Sequence, residues 1–205
     1  MANFPTSLPS ATPATHGVAA DEIRAIAGWP SFPPFVPQSG FWYLPAYAQT
    51  ITNHGPLNTL VLLPMWWPAG TQVTQLGEWV NTGGTAGATR RLAIYADNGS
   101  FYPGALLRDC GTYDGTVTGF QSVTAFTATD ISGLTWVGGV GQTAATTVVG
   151  INNNVPGISG GTGTPPTGTN VMSAYTETVA GALPATFTST RTVTNGGPRV
   201  YVKIA

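Results

Sequence analysis

The chain has 205 residues and a mass of 21.1 kDa, a length that suits one domain with one sizeable core, so a two-domain enzyme is not expected. Only 7% of the residues are charged, against roughly 25% in an average soluble chain, and the net charge of -1 excludes the basic footprint that nucleic acid or anionic lipid requires. Six Trp, seven Tyr and eight Phe in a 42% hydrophobic chain exclude disorder, while 27 Gly and 17 Pro imply a turn-rich fold whose surface is Thr, Ser, Asn, Gln and Gly.

Residues 1–40 read as an arm distinct from the remainder of the chain. The opening MANFPTSLPSATPATHG has neither a basic start nor an apolar run, so no signal peptide is expected and the chain is read as made in a cytoplasm. Pro5, Pro9, Pro13, Pro30, Pro33, Pro34 and Pro37 impose extended or polyproline geometry. One island, GVAADEIRAIAGWP, predicts a short helix over about 18–27, with Asp21 and Glu22 near its start and Gly28 and Pro30 ending it. So short a helix is marginal alone. Together with Trp29, Phe32 and Phe35 between prolines, it implies a strap that packs on another surface and serves assembly.

From residue 41 to 205 the pattern is strands punctuated by turns. Leu57 to Met65 is apolar enough to be buried on both faces. Thr71 to Val80 breaks the period of two, which predicts a bulge near Thr74 and Gln75. NTGGTAG is a loop, and Arg91 to Ala96 then alternates, with Leu92 and Ile94 on one face and Arg91, Ala93 and Tyr95 on the other. Further strands are expected at Ala105–Cys110, Thr116–Thr127, Leu134–Val140, Thr146–Ile151, Met172–Val179 and Ala185–Val193. After an Asn-Gly-Gly turn, Arg199–Ala205 sets Val200, Val202 and Ile204 against Arg199, Tyr201 and Lys203. Turns every 8 to 12 residues without amphipathic helices predict an all-β, antiparallel, jelly-roll-like sandwich behind the arm. The longest apolar stretch, Leu60 to Trp67, contains Pro64 and falls far short of the roughly 20 residues of a membrane span.

No motif announces catalysis. His16 and His54 have neither nucleophile nor metal-ligand spacing around them, and GxSxG, Walker, GxGxxG and HExxH patterns are absent. Cys110 lacks any partner for a disulfide or a zinc site and reads as a small buried hydrophobe. Asp97 and Asp114, each ahead of a Gly-containing turn, read as turn formers. Asp97-Asn98-Gly99 lacks the spaced carboxylates of a calcium loop. No catalytic residue, metal or cofactor is therefore expected. Exposed rings in a charge-poor sandwich stack on sugars, and Trp66, Trp67, Trp79, Tyr102, Tyr113 and Trp136 are the candidates for such surface contact.

The segment RRLAIYADNGSFYPGALLRDCGTYDGT, preceded by LVLLPMWWPAGTQVTQLGEWV and followed by TGFQSVTA and GLTWVGGVGQ, resembles a module of tailed-bacteriophage virion proteins of the minor tail and fibre type. The likeness runs over about residues 57–151. It rests on the Tyr-Ala-Asp-Asn-Gly turn, the Pro-Gly-Ala-Leu-Leu strand start, the Asp-X-Gly-Thr turn and the Leu-X-Trp strand. The resemblance implies a non-enzymatic structural protein located in the virion, a minor tail, fibre or head-decoration component whose sandwich serves particle stabilisation or host-surface attachment. Its expected partners are other virion proteins, copies of itself as a trimer, and a host-surface glycan. A carbohydrate-binding module and a glycoside-active enzyme, which would use two of the acids Glu78, Asp97, Asp109, Asp114, Asp130 and Glu177, are the alternatives.

Overall fold

Strand-forming sequence dominates the structure, a computed structural model that describes residues 37–44, 51–124, 126–152, 175–188 and 196–205. The predicted helix over 18–27 and the strap rings Trp29, Phe32 and Phe35 lie outside the described residues. Among the described residues thirteen strands run in chain order: β1 (Trp42–Tyr43), β2 (Ile51–His54), β3 (Thr59–Trp67), β4 (Gln72–Thr82), β5 (Thr89–Asp97), β6 (Pro103–Asp114), β7 (Gly119–Val123), β8 (Thr129–Asp130), β9 (Gly133–Gln142), β10 (Thr147–Asn152), β11 (Tyr175–Thr178), β12 (Gly196–Pro198) and β13 (Tyr201–Ile204). All pairings between them are antiparallel. Among the described residues there is no helix, and none long and apolar enough to cross a membrane.

Two sheets result. The smaller runs β11-β3-β9-β5-β6. The larger is organised by β4: β13 and then β10 pair along one edge, β8 and then β7 along the other, with β1 beyond β13 and β2 and β12 on β10. Alternation on each strand sends one set of side chains between the sheets. Trp67, Leu92, Ile94 and Val137 of the smaller sheet meet Val73, Leu76, Val80, Val148, Val200 and Val202 of the larger in one buried cluster. Cys110 belongs to it, as the sequence implies, and burial pushes its thiol pKa upward. The expected bulge is present, because Gln75 and Val73 oppose the consecutive residues Lys203 and Ile204 and leave Thr74 unpaired.

The smaller sheet is buried on its outer face as well. Leu60, Leu62, Ala93, Tyr95, Trp136 and Val140 form a second cluster under Tyr175, Val179, Leu183 and Phe187. This explains why Leu57 to Met65 reads as apolar enough to be buried on both faces, although the strand itself is Thr59–Trp67. Several expectations are corrected. Residues 185–188 form no ladder strand; a single bridge joins Thr186 to Ala105, and the segment is a cover over the outer face. Gly196 and Gly197 are not a turn: they pair with Asn152 and Ile151, and Gly197 packs against the Leu63 side chain, whose nearest atom is 3.0 Å from where a Cβ would sit. Thr116–Thr127 is broken, with a turn at Asp114–Thr116 and pairing only over Gly119–Val123. Gly40 N–H donates to Ile204 O and Gln38 N–H to the Tyr43 hydroxyl, so the described residues at the end of the expected arm are hydrogen-bonded to the sandwich.

Candidate functional site

The outer face of the larger sheet is assembled by parity. Val73, Leu76, Glu78 and Val80 of β4 point inward, which leaves Gln75, Gly77 and Trp79 outward. Cross-strand register places Phe120 of β7 opposite Trp79, Tyr201 of β13 opposite Gly77, Lys203 opposite Gln75, and Trp42 of β1 opposite Lys203. These positions form a strip across four adjacent strands, roughly 14 Å from β7 to β1 at about 4.8 Å per strand.

Gly77 makes the strip continuous. A Cβ there would lie 2.6 Å from Phe120 Cζ, so the absent side chain is the space into which the ring leans. Phe120 thereby reaches both neighbours: its centroid is 5.1 Å from that of Trp42 and 5.3 Å from that of Tyr201, with interplanar angles of 84° and 86°. Edge-to-face pairs of this kind match positive ring edges to negative ring faces. Lys203 Nζ lies 5.9 Å from the centre of the Trp42 ring, within cation–π range. Trp79 and Phe120 remain 47% and 39% exposed. Among the described residues Lys203 forms no ion pair, and Asp130 on β8 of the same sheet is engaged by the Ser132 N–H and hydroxyl.

The other predicted rings divide sharply. Trp66 is exposed on the outer face of the smaller sheet, at 67%, but stands apart from any ring partner among the described residues, the ordinary situation of a scattered surface hydrophobe. Trp67, Tyr113 and Trp136 are corrected as surface contacts because all three are buried. Trp67 has inward parity on β3 and packs edge-on to Tyr43. Trp136 lies under Tyr175 and Phe101 and donates from Nε1 to Asp97 Oδ1 at 3.0 Å. Tyr102 is half-buried, packed edge-on against Tyr175 and Phe187. Of the predicted set, only Trp79 belongs to the strip.

A buried ionic cluster ties the sheets together. Arg90 on β5 donates to both oxygens of Glu78 on β4, at 3.0 and 2.7 Å, and Tyr113 on β6 donates to Glu78 Oε2 at 2.6 Å. Gly139 on β9 makes room, since a Cβ there would meet Leu92, Glu78 Oε1 and Arg90 Nη2 within about 3 Å. Burial disfavours the Arg90 cation, but Glu78 and Tyr113 more than offset this and its pKa is raised; burial and the Glu78 charge push Tyr113 up as well. His54 on β2 sits near this cluster. Burial first, and then the Arg90 charge, lower its pKa to about 4 against the opposing pull of Glu78, so it is neutral at pH 7. Its Nε2 is buried without a hydrogen-bond partner among the described residues.

Every described acid is internally engaged. Asp97 accepts from Gly99 N–H, Tyr102 N–H and Trp136, which is turn and packing work. Asp109 pairs with Arg91 and accepts from Gly111 N–H; partial burial opposes ionisation, but these partners hold its pKa low. Asp114 is engaged by the Thr116 hydroxyl and N–H, and Glu177 by those of Thr188. No group of three or more metal-ligating side chains occurs among the described residues.

Sequence reasoning missed Trp42, Phe120 and Tyr201. Alternation alone sets Tyr201 on the face opposite the inward Val200, Val202 and Ile204, but nothing in the sequence gives the register that aligns it with Gly77 and Phe120. No protein-family model matches the chain, and neither a curated protein nor a solved structure matches it.

Proposed function

We propose that the chain is a non-enzymatic structural protein of a tailed-phage virion, with a jelly-roll-like sandwich displayed for attachment and an N-terminal arm, bearing a short helix over 18–27, that anchors it among other virion proteins. The observation that carries this reading is the contrast between an open aromatic strip on the larger sheet and acids that are all committed to internal hydrogen bonds. A surface of exposed rings suits recognition, whereas two-carboxylate hydrolysis needs acids turned to a substrate. The sequence likeness to minor tail and fibre modules supports the virion setting, and a trimer is the assembly that setting favours. Quantitative mass spectrometry of purified particles tests the proposal. The chain is expected in many copies per particle, in a multiple of three, and its absence from particles would overturn the reading.

A carbohydrate-binding module outside any virion is the second reading, favoured by the same strip. It predicts glycan retention by the isolated protein and no incorporation into particles.

A further inference from the structure

We propose that the outer strip of the larger sheet binds an acidic glycan, a chain of uronic-acid pyranoses, with Trp79 and Phe120 as stacking rings and the Lys203 ammonium as the partner of a sugar carboxylate. This deepens the attachment reading above and rests on it for its biological setting.

Three observations lead to a sugar of this class. First, no described residue roofs the rings: Trp79 and Phe120 are 47% and 39% exposed, although equivalent rings on the smaller sheet are roofed by Tyr175 and Phe187. The C–H face of a pyranose stacks on such a ring while its hydroxyls stay wet. Second, the strip alternates apolar and polar groups. Gln75, Ser122, the Tyr201 hydroxyl and Lys203 share the outward face with the rings, at positions set by the pairings of Gly77 with Ser122 and Tyr201 and of Gln75 with Lys203. Stacked sugars need this mixture of ring faces and hydrogen-bonding groups in reach of one another.

Third, charge complementarity selects the acidic class. Lys203 is held beside the Trp42 ring at 5.9 Å and has no ion-pair partner among the described residues, so its ammonium is presented to whatever lies on the strip. Asp130, an acid on the same sheet, stays ionised, but it lies on β8 opposite Gln72 and outside the positions that make up the strip. One cation amid neutral rings pairs with one carboxylate of a short uronic-acid chain and leaves the others in water, so a single charge-assisted contact is expected.

The test uses the full-length protein and two probes that share one sugar backbone, trigalacturonic acid and its neutral methyl ester, titrated by calorimetry. The wild type is expected to bind the acid about tenfold more tightly than the ester, in keeping with one charge-assisted contact. Trp79→Ala should weaken both at least tenfold without a change in melting temperature. Lys203→Gln should equalise the two probes while leaving ester binding in place. Gly77→Ala, whose Cβ drives the Phe120 ring off the strip, should weaken both. The proposal is overturned if the wild type binds neither probe, if it binds the two equally, or if Trp79→Ala binds as the wild type does. It is also overturned if Trp79→Ala abolishes incorporation into particles while the wild type binds neither probe, because the strip is then a protein-docking face. Presence of the wild-type chain in particles is read separately by mass spectrometry, so the glycan site can fail while the virion role stands, and the reverse.

Discussion

The two sheets use the same residue types to opposite ends. On the smaller sheet Tyr95, Trp136 and Tyr175 pack edge-on with Phe101, Tyr102 and Phe187, and a loop segment after β11 covers most of them. On the larger sheet Trp42, Phe120 and Tyr201 make the same edge-to-face contacts with no cover among the described residues. An aromatic cluster is therefore core or recognition surface according to what lies over it, and ring geometry alone does not distinguish them. The charged groups show the same division. Arg90 and Glu78 are sealed between the sheets, whereas Lys203 stands on the open face.

The sharpest way to break this contrast is to truncate one tryptophan on each sheet. Trp136→Ala should cost about 3–5 kcal/mol in denaturant titration, because it opens a large cavity and removes the indole N–H from Asp97. Trp79→Ala should stay within about 0.5 kcal/mol of the wild type. Equal losses would mean that the larger sheet's outer face is covered after all.

Next in size is the clamp between the sheets. Glu78→Ala leaves the Arg90 guanidinium buried and unpaired and should cost about 3–5 kcal/mol, whereas the double variant Glu78→Leu with Arg90→Met should recover most of that loss. If the single variant melts like the wild type, the clamp is not holding the sheets together.

A pH series isolates His54. Its folded pKa of about 4 lies below the ordinary value of about 6.5, so the unfolded chain takes up the proton first. The stability associated with neutral His54 is complete above about pH 6.5, falls as pH drops, and is lost below about pH 4. Asp109, Asp114 and Asp130, whose pKa values are lowered, contribute stability that fades only at lower pH, below the usual carboxylate range. Denaturation midpoints measured from pH 7 to 4.5 should fall for the wild type and stay flat for His54→Phe. A flat wild-type profile would remove His54 from the buried cluster.

The smallest effect expected is at Cys110, where Cys110→Ala should cost on the order of 1 kcal/mol through lost packing and leave ligand binding untouched.

Much of the fold was legible because strand alternation is local. Leu92 and Ile94 against Ala93 and Tyr95, and Val200, Val202 and Ile204 against Tyr201, follow from period two alone, and the Thr74 bulge shows as a break in that period. What failed depends on distant partners. Leu106 and Cys110 lie four residues apart and so in one phase of a regular strand, but the unpaired Leu107, opposite Tyr95–Ile94, reverses it, so Leu106 packs on the outer cluster and Cys110 on the inner one. The burial of Trp136 depends on a cover supplied by residues 175–187, and the strip depends on three strands meeting at one glycine. Neither has a signature in any short window of sequence.

Radical footprinting of the free protein, repeated with trigalacturonic acid bound, tests the recognition role of the open face most directly. In the free protein Trp66, Trp79 and Phe120 should be oxidised while Trp67 and Trp136 are spared. With the ligand present, Trp79 and Phe120 should become protected and Trp66 should not. Protection at Trp66 with continued oxidation of Trp79 and Phe120 would place recognition elsewhere and contradict the account.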